Sequence, residues 1–302
     1  MKAGYAAIIG LPNAGKSTLL NSMLGQKISI TTNKPQTTRK RILGIMSGED
    51  FQIVFLDTPG ILKPHYILQE RMMEYVNLSV RDADIVLLLI DMENDPKGEK
   101  FFNQEFVKEL MERNKAHKLL ILNKIDKSNE AIMKDIVSYY EKDSRINRII
   151  PISASLGANV NEVINSIKER LPENPKFYPE DIVSDETERF FVSEIIREKI
   201  FELYKEEIPY STEVLIADFK EQESRKDVIS AEIVVERESQ KGIIIGKKGD
   251  AIKRLGEKSR LEIEKFLDRP VFLELRVKVR LKWRSDENML KSFGYSRDKE
   301  NS

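Results

Sequence analysis

The segment Gly10-Leu-Pro-Asn-Ala-Gly15-Lys16-Ser17 constrains this chain more than any other feature. It follows an apolar run at 3–9 and precedes a stretch of helical pattern, so it reads as a strand, a glycine loop and a helix. Glycines let consecutive backbone N–H groups converge on one anion, and the helix adds its positive end. A loop of this form is built for phosphate.

The surrounding pattern fits that requirement. Short apolar runs at 51–56, 85–90, 118–122 and 149–152 alternate with segments of helical length at 99–113, 129–142 and 161–170. Strands alternating with helices predict a mostly parallel sheet with helices on both faces, an α/β domain of the P-loop type. Residues 41–46 are expected to add an antiparallel edge strand beside 51–56. Three prolines within 172–179 mark a linker. Beyond it the order becomes helix 187–204, strand 211–219, strand 229–237, a Gly246-Lys247-Lys248-Gly249 turn, helix 250–267 and strand 271–279. That is α-β-β-α-β, a second, α+β domain. The expected domains are 1–171, a linker 172–183, a domain 184–284 and a tail 285–302 with little periodicity, whose last seven residues are expected to fray.

A length of 302 residues also suits two domains. The chain has no cysteine, which excludes disulfides and thiolate metal sites. The start of the chain runs into a strand without a secretory leader, and the run at 85–90 is too short to span a bilayer. A cytoplasmic protein is expected. The formal net charge is zero, yet charge is segregated: residues 241–284 hold 14 Lys and Arg against 6 Asp and Glu, whereas 171–240 hold 9 against 19. The basic stretch surrounds the second glycine loop, which has the form that clamps a single-stranded nucleic-acid backbone. Its expected contacts are Ile245, Gly246, Lys247, Lys248, Gly249, Ile252, Lys253 and Arg254.

Further motifs complete the nucleotide site. Lys16 should reach the β- and γ-phosphates, and the Ser17 hydroxyl should hold Mg²⁺. Asn123-Lys124-Ile125-Asp126 ends an apolar strand. The Asp126 carboxylate can accept from guanine N1–H and the exocyclic amine, whereas adenine would leave it unpaired. Asn123 is expected to brace the loop and the Lys124 stem to cover one face of the base. In Ser153-Ala154-Ser155 the Ala154 amide is expected to donate to guanine O6. Asp57-Thr58-Pro59-Gly60 should hold Mg²⁺ through Asp57 and touch the γ-phosphate through the Gly60 amide. Pro35-Gln36-Thr37-Thr38-Arg39 should supply a threonine that joins Mg²⁺ only while the γ-phosphate is present; Thr38 is favoured over Thr37, and the sequence leaves both open. The nucleotide-binding set is therefore Gly10, Leu11, Pro12, Asn13, Ala14, Gly15, Lys16, Ser17, Thr18, Asp57, Thr58, Pro59, Gly60, Asn123, Lys124, Asp126, Ser153, Ala154 and Ser155. The metal set is Ser17, Thr38 and Asp57; the residues expected to act in hydrolysis are Asn13, Lys16, Thr38, Asp57 and Gly60.

These motifs, in this order, resemble the translation-factor class of GTPases. With the Gly-Lys-Lys-Gly domain appended, residues 2–295 resemble the Era family, bacterial GTPases with a C-terminal type II KH domain. The resemblance implies GTP hydrolysis with Mg²⁺, binding of 16S ribosomal RNA near its 3′ end, a role in 30S subunit assembly, a monomer, and a peripheral membrane-associated fraction at the inner membrane. Ile61 and Leu62 follow Gly60, where Ras-like enzymes carry a water-orienting glutamine, so hydrolysis needs another accelerating group. In related GTPases with an apolar residue here, the phosphate-loop asparagine helps bind K⁺; Asn13 either does so or only braces its loop. Two other functional readings stay open: an RNA-binding assembly protein whose nucleotide is structural, and a membrane-surface regulator. His65 and His117 read as surface residues, and Trp283 as packing rather than base stacking.

Overall fold

The computed structural model describes residues 1–222 and 225–295. The elements in chain order are β1 (Lys2–Gly10), α1 (Lys16–Leu24), β2 (Ile42–Ser47), β3 (Phe51–Asp57), α2 (Ile67–Asp82), β4 (Ile85–Asp91), α3 (Glu99–Phe102), α4 (Glu105–Arg113), β5 (His117–Asn123), α5 (Glu130–Tyr140), β6 (Arg148–Pro151) and α6 (Val160–Arg170). They continue with α7 (Glu188–Leu203), β7 (Glu213–Lys220), β8 (Asp227–Val235), α8 (Glu238–Ile245), α9 (Asp250–Leu267), β9 (Val271–Val279) and α10 (Glu287–Ser292). The chain divides into two compact units, 1–64 with 72–185, and 65–71 with the residues from 186 onward.

The first unit holds a six-stranded sheet in the order β2-β3-β1-β4-β5-β6. Every strand pair is parallel except β2–β3. β4 is buried at all seven positions, which only a strand covered on both faces requires; its continuous Ile-Val-Leu-Leu-Leu-Ile run provides that. The register pairs Ile8 with Asp57, Gly10 with Leu89, and Asp91 with Asn123. The motif-bearing strand ends therefore line up along one edge, where open α/β sheets bind ligands.

The segment expected as one helix at 99–113 is two. Gln104 is extended (φ −64°, ψ 133°) and separates α3 from α4. Phe101 and Val107 are both fully buried, yet residues six apart lie on different faces of an unbroken helix. The break resets the phase so that both meet the core. The proline-rich stretch is bonded along the first unit: Phe177 N and Tyr178 N both donate to Gln52 Oε1 at 2.7 and 3.0 Å, and Ile45 N donates to the Val183 carbonyl at 2.7 Å.

The second unit has a three-stranded sheet, β7-β8-β9, with β7–β8 antiparallel and β8–β9 parallel. α7, α8 and α9 cover one face through a core that includes Ile196, Ile244, Leu255 and Ile263. The expected α-β-β-α-β order lacks an element, because α8 intervenes between β8 and the glycine loop. Gly242 and the run Ile243-Ile244-Ile245 are poor helix formers and read as strand and turn. Gln240 overrides them: its side-chain oxygen accepts from Glu236 N and Arg237 N at 2.9 and 3.1 Å and caps the helix start. The glycine loop therefore joins two helices, not a strand and a helix. The tail likewise begins with structure, since Asp286 caps α10 and Leu290 is fully buried. The expectation of a frayed end at 296–302 falls outside the described residues.

Candidate functional site

The loop after β1 carries the tightest backbone requirement. Gly15 has φ 96°, and a Cβ there would lie 2.3 Å from Asn123 Nδ2, so only glycine fits. Asn123 uses that closeness: its Nδ2 donates to the Ala14 carbonyl at 2.8 Å, and its Oδ1 accepts from Ala154 N at 3.0 Å. One buried amide thus ties the phosphate loop to the ends of β5 and β6 across 109 residues of sequence. Ile61 N donates to the Gly10 carbonyl at 3.1 Å, which seats Gly60 against Pro12.

Lys16 is buried, with Nζ 3.0 Å from the Leu11 carbonyl and 3.3 Å from the Gly10 carbonyl. Desolvation pulls its ammonium down to about 8, against the attraction of Asp57. Burial likewise pushes the Asp57 carboxyl up, against hydrogen bonds from Ser17 and Ser29 and the charge of Lys16. Ser17 Oγ lies 2.9 Å from Thr38 Oγ1 and donates to Asp57 Oδ2 at 2.7 Å. Thr37 is turned elsewhere, with Oγ1 on the Lys34 carbonyl at 2.7 Å and 2.7 Å from Thr32 Oγ1. Of the two threonines, only Thr38 shares a hydrogen bond with Ser17. Asp57 Oδ1 is buried with no hydrogen-bond partner. Two hydroxyls and a carboxylate with one unmatched oxygen form a hard-oxygen set, the donor chemistry that Mg²⁺ prefers.

These groups surround a cavity of about 520 Å³. Pro12, Asn13, Gly15, Lys16, Ser17, Thr18, Thr37, Thr38, Gly60, Asn123, Lys124, Asp126, Ala154 and Ser155 line it. Gly10, Leu11, Ala14, Asp57, Pro59 and Ser153 are not among its lining residues. Two of the expected contacts are engaged within the protein. Thr58 is fully buried and donates to the Ile8 carbonyl at 2.7 Å, so its side chain locks the end of β3 to β1. The Ala154 amide is engaged by Asn123, so a base carbonyl would have to share or displace that bond. Ser153 donates to Asp126 Oδ1 at 2.6 Å and orients that carboxylate from beneath. Asn13 adopts φ 65° and donates from its side chain to the Asn33 carbonyl at 3.0 Å. Ile61 is buried in the core, away from solvent. His65 and His117 are exposed.

Sequence reasoning missed three contributors. Ser29 Oγ donates to Asp57 Oδ2 at 2.8 Å. Asp91 Oδ2 receives Lys124 Nζ at 2.7 Å, and Glu93 Oε2 lies 3.4 Å from the same ammonium. Desolvation alone would raise the Asp91 carboxyl, but hydrogen bonds from Asn94 and Lys124 outweigh it and hold the group below the usual carboxylate range. Asp91 closes its apolar run as Asn123 closes the next, and only strand pairing reveals them as neighbours.

In the second unit, Gly246 (φ 75°) and Gly249 (φ 83°) bracket the exposed Lys247 and Lys248. A Cβ on Gly246 would meet Ala251 Cβ at 2.6 Å, so the turn between α8 and α9 needs glycine there. Lys253 and Arg254 are exposed on the first turn of α9, while Ile245 and Ile252 are half-buried beside the loop. Basic groups thus flank a backbone that a phosphate chain can approach closely. Trp283 is fully buried with Nε1 donating to the Ser211 carbonyl at 2.9 Å, which makes it packing and not a stacking platform.

Sheet order, phosphate loop and the loops after β5 and β6 define a P-loop GTPase domain, and the second unit is a KH domain. Residues 5–124 match the family model described as 50S ribosome-binding GTPase, and residues 207–284 match the KH domain model. The chain is 46% identical to the GTPase Era of Geobacter sp. (strain M21), with 97% of this chain and 98% of that protein covered. It is 45% identical to the chloroplastic GTPase ERA1 of Zea mays, covering 97% of this chain and 70% of that one. Two solved structures superpose with TM-scores of 0.91 at 41% identity, covering 98% of this chain and 100% of theirs: Aquifex aeolicus Era bound to GDP·AlF4⁻, and Era in complex with MgGDPNP and nucleotides 1506–1542 of 16S ribosomal RNA. The chain belongs to the Era family of GTPases.

Proposed function

We propose that this protein is a GTP-hydrolysing switch that binds 16S ribosomal RNA near its 3′ end through the KH domain and acts in assembly of the 30S subunit. The observation that carries the reading is the gathering of Lys16, Ser17 and Thr38 with the Asn123–Asp126 loop around one cavity, with Asp57 bonded to Ser17. The rRNA assignment draws on the Era relative solved with MgGDPNP and that RNA segment. Asp126 reads guanine, and Lys16 and the phosphate-loop amides take the β- and γ-phosphates. Ser17, Thr38 and Asp57 hold Mg²⁺, which supplies charge neutralisation at the phosphates. Thr38 carries the γ-phosphate signal, because its hydrogen bond to Ser17 leaves it within reach of that metal set. Lys247, Lys248, Lys253 and Arg254 neutralise RNA phosphates while Gly246 and Gly249 let the backbone approach. The working units are 1–171, the connecting 172–183, the KH domain 184–284 and the tail from 285.

With Ile61 in the core, no side chain at that position orients water, and we assign Asn13 to a K⁺ site that supplies the missing charge. Hydrolysis in K⁺ is then expected to exceed that in Na⁺; equal rates would remove this assignment. No helix among the described residues is long and apolar enough to cross a membrane. In this reading the protein works with its RNA partner in the cytoplasm, any membrane-associated fraction being peripheral. The deciding experiment measures binding of a 16S 3′-end RNA in the GTP-analogue and GDP states, for the wild type and for Ser17→Ala. RNA bound more tightly in the GTP-analogue state of the wild type, and equally in both states of Ser17→Ala, is expected. No RNA binding in either state would overturn the reading.

A further inference from the structure

The Asp91 cluster lies outside the motifs and yet meets one of them. Lys124 sits in the left-handed region (φ 65°, ψ 39°), unusual for a residue with a side chain. Its backbone is fixed on both sides, with Met92 N donating to the Asn123 carbonyl at 2.9 Å and Ile125 N to the Ile152 carbonyl at 3.2 Å. Its far end is fixed too, by the 2.7 Å contact of Nζ with Asp91 Oδ2. Asp91 is itself immobilised: Oδ1 accepts from Glu93 N at 2.9 Å and Asn94 N at 3.2 Å, and Oδ2 also accepts from Asn94 Nδ2 at 2.8 Å. Asp91 pairs with Asn123 across β4–β5, so the carboxylate stands directly beside the strand end that launches Lys124. A four-carbon stem held at both ends is a fixed wall of the cavity, whereas a free lysine would lose rotamer freedom on covering a base.

We infer that Asp91, braced by Asn94, is the positioning residue that anchors Lys124 and so preforms the slot for the planar purine. The inference rests on the reading of Asn123–Asp126 as the guanine loop. Asp91 does not line the cavity, so its effect on a base there is transmitted through Lys124. Its removal should therefore weaken ligands that carry the base and spare those that carry only phosphate.

The test measures GDP and pyrophosphate binding by calorimetry in Mg²⁺ for the wild type, Asp91→Asn, Lys124→Met, the double variant and Asp126→Ala. Asp91→Asn is expected to weaken GDP about tenfold and leave pyrophosphate unchanged, which also certifies a folded phosphate loop. The double variant should bind GDP as Lys124→Met does. Unchanged GDP affinity in Asp91→Asn, an equal loss for both ligands, or a further loss in the Lys124→Met background would each overturn the inference. If Asp126→Ala bound GDP as the wild type does, the guanine-loop reading would fall and take this one with it. GDP lost in Asp126→Ala but kept in Asp91→Asn would sink the Asp91 role alone.

Discussion

Burial holds the Lys16 ammonium at about 8 in the ligand-free protein, so nucleotide binding should take up a proton above that pH. Desolvation is the main cause, and the Asp57 carboxylate only partly offsets it. A polyphosphate brings several negative charges to Nζ and restores the protonated form across the accessible range. Affinity should then fall as the free protein deprotonates, by about tenfold between pH 7 and pH 9, or roughly 1.4 kcal/mol. Calorimetry of GDP binding in two buffers of different ionisation enthalpy reads both quantities. About 0.9 proton should be taken up at pH 9 and close to none at pH 7. The same shift sets the sign for stability. The unfolded chain keeps its Lys16 proton up to about 10.5 while the folded one releases it near 8. The ligand-free protein therefore gains stability as pH rises from 8 towards 10.5, on the order of 3 kcal/mol, and Lys16→Met should abolish that component. Zero proton uptake at pH 9, or GDP affinity flat from pH 7 to 9, would refute the reasoning.

Asn123→Ala removes a buried amide and leaves the Ala14 carbonyl and Ala154 N–H unpaired; a loss of about 2–4 kcal/mol in chemical denaturation is expected, with nucleotide binding lost alongside. Lys247→Ala and Lys248→Ala should each lower the slope of log RNA affinity against log salt by about one while GTP hydrolysis without RNA stays unchanged. Trp283→Phe should retain RNA affinity, since the indole is buried on Ser211, whereas Trp283→Ala should destabilise the second unit by about 3–5 kcal/mol by thermal unfolding.

The glycine loop after β1, the Asn123–Asp126 turn and the glycine turn before α9 were legible because each requires particular residues at short, fixed spacing. Gly15 and Gly246 stand at positive φ where a Cβ would collide, so the chemistry is written into the residue type itself. The break between α3 and α4 was not legible, because each half has good local helix propensity and only the shared core demands that Phe101 and Val107 both turn inward. α8 was missed for the converse reason: poor local propensity, rescued by one cap from Gln240 and burial of Ile244. Nor was the bond of Thr58 to the Ile8 carbonyl legible, since it joins strands 50 residues apart.

By itself the sequence determined the class of both domains, the two glycine loops and the position of an aspartate just past the end of β5 where the cavity forms. Those are local properties: backbone freedom, donor and acceptor type, and spacing within a few residues. The tertiary structure decided which threonine stands beside Ser17, that Asn123 ties three loops together, and that Asp91 holds Lys124. These partners are 21 to 109 positions apart in the chain. Their pairing is set by register and burial, which no short stretch of sequence contains.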